Sequence, residues 1–207
     1  MRETELSTMR RVGASEDQML VVQGNLAMLY SNLGQEEKAL EIERDVYSGY
    51  VRLLGEEHAN TLGAGNNYAS SLEQLNRFEE AKALLRKTMP VAQCVLGKSH
   101  ELTLRMRWRY AVALYTDTGA TFDDLREAVT TLEDTVRTAR RVLDGSHPMV
   151  VGIGRELERS RAALAPCPRD AAAAECVNNQ QRIVQCRGAL SSYANSRRAR
   201  RRRSAEA

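Results

Sequence analysis

Leu54-Gly55-Glu56-Glu57-His58-Ala59-Asn60-Thr61-Leu62 returns as Leu96-Gly97-Lys98-Ser99-His100-Glu101-Leu102-Thr103-Leu104. A looser third copy reads Leu143-Asp144-Gly145-Ser146-His147-Pro148-Met149-Val150. His58 and His100 lie 42 positions apart, and His100 and His147 lie 47 apart. A phrase that returns on such a period marks a repeat array, whose core is built by stacking each unit on its neighbours.

Between the copies the apolar residues recur at three-to-four spacing, the period of a helix packed on one face. From Gln18 the pattern is Leu20, Val21, Gly24, Ala27, Met28, Leu29 and Leu33, with Ser15 or Asp17 as the cap and Gly34 as the stop. A second helix from Gln35 to about Leu54 carries Ala39, Leu40, Ile42, Val46, Tyr50 and Leu53. Gly55 stands where a left-handed residue ends it. The pair then repeats as Ala59–Leu75 and Arg77–Leu96. Pro90 lies inside the latter and predicts a kink between Arg86 and Pro90, since an interior proline deletes a backbone bond and crowds the preceding turn.

The third unit begins at Glu101 and its spacing slips. Ala27 to Ala39 and Ala69 to Ala81 are both 12 positions, whereas Ala111 to Ala128 is 17. Five extra residues therefore fall in the turn around Thr116-Asp117-Thr118-Gly119-Ala120-Thr121, and Thr121 with Asp124 forms a capping-box pattern that restarts the helix. A last helix opens at Pro148, suited to a first turn, and ends by Pro166-Cys167-Pro168. Its stripe is Val151, Leu157, Arg161 and Leu164, and its charges suit a terminal cap on the stack. The organisation expected is an irregular segment over 1–17, a repeat array over 18–165 with three helix pairs and a capping helix, and an irregular, Arg-rich tail over 166–207 expected to be disordered.

Composition fits an all-α chain. Apolar residues make up 43% of the 207 and aromatics only 5%, with Ala and Leu prominent, which favours helix over strand. The net charge of +3 is local: six arginines sit in 197–203. With those and Glu206 set aside, 24 basic and 26 acidic residues remain, a net of −2. No run of about 18 apolar residues is present, and the acidic start lacks a secretory core, so the expected compartment is the cytoplasm, with the arginine run as a nuclear address in an alternative reading. Cys94, Cys167, Cys176 and Cys186 form no CxxC pair and read as free thiols.

Within one unit the order is Asn67-Tyr68-Ala69, Leu72, then Phe78-Glu79-Glu80-Ala81, and in another it is Asn25-Leu26-Ala27, Tyr30, Gly34 and Ala39. This resembles the tetratricopeptide repeat, with small residues where paired helices A and B pack closest. The longer period and the leucine-glycine-histidine phrase look like the kinesin light chain type of that repeat. Ordinary repeats run about 34 residues, so these units add about eight, or one turn per helix. The resemblance covers roughly residues 19 to 164. It implies a right-handed α-α superhelix whose A helices line a concave groove for peptides.

Carried over by position, the groove-facing asparagine of that family matches Asn25 and Asn67, while the third unit departs with Arg109. Gly24, Asn66 and Trp108 precede these residues, and Met28, Ser70 and Val112 fall one turn later. Arg105, a turn before Arg109, faces the same way. The candidate groove is therefore Asn25, Met28, Asn66, Asn67, Ser70, Arg105, Trp108, Arg109 and Val112. The two guanidiniums beside an indole suit an acidic peptide, and a solvated face with Trp108 in the core is the plainer reading.

No catalytic constellation emerges. Histidines one unit apart cannot share a metal ion whose bonds are about 2 Å, so they read as helix-start residues. His58 beside Glu56 and Glu57 lacks a nucleophile or a converging pocket. No cofactor motif is present. The expectation is a non-catalytic adaptor for a protein or peptide. The alternative is a nucleic-acid-associated protein acting through Arg197–Arg203.

Overall fold

A computed structural model describes residues 15–165. The segment 1–14 and the tail 166–207, with the arginine run and three of the cysteines, lie outside the described residues. Seven helices and no strand occupy the described part: α1 (Glu16–Asn32), α2 (Glu36–Leu54), α3 (Ala59–Gln74), α4 (Phe78–Val95), α5 (Glu101–Thr116), α6 (Phe122–Val142) and α7 (Pro148–Leu164). Each packs against the next. The A helices also meet along the stack, α3 with α5 and α5 with α7, while α1 and α3 approach less closely.

The register of the sequence is the register of the core. Ala27, Ala69 and Ala111 on the A helices, and Ala39, Ala81 and Ala128 on the B helices, are all fully buried. A methyl is the largest group that fits where paired helices come closest, so alanine recurs there. Around these contacts the larger chains fill the layers: Leu62, Leu72, Leu85, Leu104, Leu114, Leu132 and Ile153 are each 1% exposed or less. The five-residue insertion forms the turn between α5 and α6. It is held by Asp117, which accepts from the Gly119 N–H at 2.9 Å and pairs with the buried Lys82 Nζ at 2.7 Å.

Helix ends follow their local chemistry. Ser15 and Gln18 form a reciprocal capping box, as do Thr121 and Asp124. His58, His100 and His147 cap α3, α5 and α7: each Nδ1 accepts from the backbone N–H two residues on, at 3.1, 3.2 and 3.2 Å. The recurring histidine thus replaces the usual Ser, Asp or Asn with a neutral ring nitrogen. Gly34, Gly55 and Gly97 take positive φ, and Asn76, one period after Gly34, takes φ 59°.

Two expectations need correction. In α1 only Leu20 and Ala27 of the seven-residue stripe are buried, while Val21, Met28, Leu29 and Leu33 are exposed. The first helix of the described stack has a neighbour on one side only, so half its apolar surface meets none. In α7, Val151 is exposed and the buried face is Met149, Val150, Ile153, Glu156, Leu157 and Ser160. The helix α4 is unbroken through Pro90, which is itself exposed.

Candidate functional site

The wide spacing of α1 and α3 opens a groove of about 480 Å³ with α2 as its floor. Asn25 and Met28 from α1 and Asn67 and Ser70 from α3 line it together. They stand at equivalent places one 42-residue period apart, so the stacking itself brings them to one surface. Both asparagine side chains are exposed, each with an amide able to donate and accept. Val21 and Met28 add exposed apolar surface along one wall.

The floor carries a group that apolar patterning alone passes over. Glu43 lies on the buried face of α2, between Ile42 and Val46, and is 8% exposed. Ser71 Oγ on α3 donates to its Oε2. Burial is the main influence on the Glu43 carboxyl and raises it to about 7; the Ser71 bond and the charge of Arg109 pull the other way. The signal was present in the sequence: Glu43 falls within the stripe Ala39, Ile42, Val46 and Tyr50, where an ordinary solvated acid would not stand.

The unit-three residues are placed differently. Arg109 donates from Nε to Asn66 Oδ1 at 3.2 Å and from Nη1 to Glu73 Oε2 at 3.1 Å. Asn66 is 2% exposed, so it serves this contact between units and does not line the groove. Glu73 lies beside it with its side chain 13% exposed; burial lifts its carboxyl to about 7 against the opposing pull of Arg109. Arg105 is exposed and pairs with Glu101 on its own helix. Trp108 and Val112 are half-buried against the main core, and the Trp108 ring lies so close over Gly152 of α7 that a Cβ there would meet Cη2 at 2.5 Å. The structure therefore gathers Asn25, Met28, Asn67 and Ser70 in one groove, gives Asn66, Trp108 and Arg109 contacts between units, and leaves Val112 half-buried against the core.

Among the described residues no group of three or more His, Cys, Asp or Glu side chains is placed to hold a metal ion. No helix among them is long and apolar enough to cross a membrane. Cys94 is an exposed free thiol.

With helix pairs in register and a groove along the A helices, the class is an all-α repeat solenoid. The tetratricopeptide repeat family model matches residues 18–93. In fold the repeats are similar to those of kinesin light chain-like proteins. BtubC (BKLC) from P. vanneervenii superposes with a TM-score of 0.57 at 18% identity, over 80% of this chain and 73% of that one. The nearly identical TPR-like repeats of a kinesin light chain candidate from Podosopora anserina superpose with a TM-score of 0.61 at 22% identity, over 92% and 84%. A singly substituted form of the same repeats gives 0.65 at 20%, over 91% and 95%. A comparison with curated proteins finds no match. Tetratricopeptide repeats generally mediate protein–protein interaction, and the scaffold is generally non-catalytic.

Proposed function

We propose that this chain is an adaptor that binds an extended peptide or protein segment in the groove between α1 and α3. The observation that carries the reading is the convergence of Asn25 and Asn67, one period apart, on a single open surface. Their amides suit the alternating donors and acceptors of a peptide backbone, and Met28 and Val21 supply adaptable apolar contact.

The test begins with peptides selected from a random display library on the full chain. Their affinities are remeasured by fluorescence polarisation on the double variant Asn25→Ala, Asn67→Ala. Losing two hydrogen-bonding amides of about 1 kcal/mol each should weaken binding about tenfold or more. Unchanged affinity contradicts the reading.

A further inference from the structure

We infer that the groove between α1 and α3 selects a segment carrying a basic side chain, whose ammonium or guanidinium group is received by the carboxylate of Glu43. This inference rests on the peptide-binding reading above and names the ligand class for that same site.

Three observations point there. Among the described residues that line the groove, Glu43 is the one acidic or basic side chain; α1 and α3 contribute amides, hydroxyls and apolar side chains. Among the described residues the carboxylate is engaged by a hydroxyl, since Ser71 donates to it, and no ion pair to it is formed there. The nearest arginine is already committed elsewhere, since Arg109 holds Glu73 and Asn66. A buried acid with no cationic contact, facing an open groove, is an electrostatic vacancy that a basic group would fill.

The surroundings set a pH signature. Around the Glu43 carboxyl stand Ser71 from α3, the like-charged Glu36 from α2 and, at longer range, Arg109 from α5; Tyr50 of α2 lines the same groove. The α1 wall adds Ser31, whose hydroxyl is turned to Glu36 at 3.0 Å and Gln74 at 2.9 Å. Burial holds the free carboxyl near 7, so at pH 6 much of it carries a proton that a cationic ligand must displace. Binding of a basic segment therefore releases protons and weakens about tenfold between pH 8 and pH 6.

The experiment pans the random twelve-residue display library in parallel on the full chain and on Glu43→Gln, which keeps the Ser71 contact and removes the charge. Lys or Arg enriched at one position on the native chain, lost on Glu43→Gln, is the expected result. Chosen peptides should bind Glu43→Gln at least about tenfold more weakly at pH 8. Ser71→Ala, which keeps the carboxylate, should retain the preference for a basic residue. Acidic or neutral residues at that position, or identical pools from both proteins, overturn the inference. Binding lost in the Asn25→Ala, Asn67→Ala protein but indifferent to Glu43→Gln removes only the cation; binding that survives both sets, or a library without binders, removes the groove itself.

Discussion

Arg109 on α5 reaches back across the unit boundary and donates to Glu73 on α3 at 3.1 Å, 36 residues earlier in the chain. The contact ties the second unit to the third through a polar link, beside the Arg109–Asn66 and Lys82–Asp117 contacts across the same boundary. Glu73 Oε1 has no hydrogen-bond partner, so the arginine supplies the contact that this carboxylate makes with another unit. Replacing Arg109 by Ala is expected to cost about 3 kcal/mol at pH 8, because it strands a buried acid. The cost should shrink at pH 5, where Glu73 is protonated. Urea denaturation at the two pH values checks both.

The same carboxylates set the pH dependence of the wild-type fold. Glu43 and Glu73 both rise from an ordinary 4.5 to about 7 in the folded chain. The folded state then binds more protons than the unfolded one between those values. The sign is that stability is highest below about 4.5 for these groups and is lost as pH climbs through 7. Asp117, Asp124 and Asp144 are held below their usual range by hydrogen bonds, working against burial at Asp117 and Asp124, and their contribution is lost at lower pH. Thermal midpoints should therefore peak near pH 5 and fall toward pH 8. Glu73→Gln should flatten that decline by on the order of 1–3 kcal/mol.

Lys82 is 3% exposed and rests between Glu79 and Asp117, at 2.6 and 2.7 Å. The two acids differ in weight: Glu79 is 76% exposed and Asp117 is 11% by side chain. Asp117→Ala should cost about 2 kcal/mol, by leaving the buried lysine with only the exposed Glu79 beside it and releasing the inserted turn. Glu79→Ala should cost less than about 1 kcal/mol, as an exposed pair does. Chemical denaturation of the two variants side by side measures the difference.

The histidine caps make a third comparison. His100→Ala removes the acceptor for the Leu102 N–H and is expected to cost about 1 kcal/mol. His100→Asn should restore most of it, since an amide oxygen serves the same N–H. Equal destabilisation by both variants would show that the ring acts through packing.

Gly152→Ala should push the Trp108 ring from its seat, at a cost of about 1–2 kcal/mol. Trp108 is the single tryptophan, so a shift in its emission at constant helicity reads the displacement directly.

Much of this architecture is legible from spacing. The 12-residue interval between paired alanines, the five-residue slip before Ala128 and the capping box at Thr121 each describe a local event that the structure repeats in place. What spacing misses depends on neighbours far away in the chain. Val21, Met28 and Leu29 read as core because their period is right, yet burial needs a helix on the other side of α1. Arg109 reads as a free groove cation because Glu73 lies in another unit. The histidines read as helix-start residues, yet their capping bond does not, since the sequence rules for that bond look for Ser, Thr, Asp or Asn.

Hydrogen–deuterium exchange on the full chain, with and without a selected peptide, tests the central claim most directly. The account predicts slowed exchange in α1, in α3 and at the α2 residues around Glu43. Protection confined to the outward faces of α4 and α6, or to residues 166–207, would contradict it.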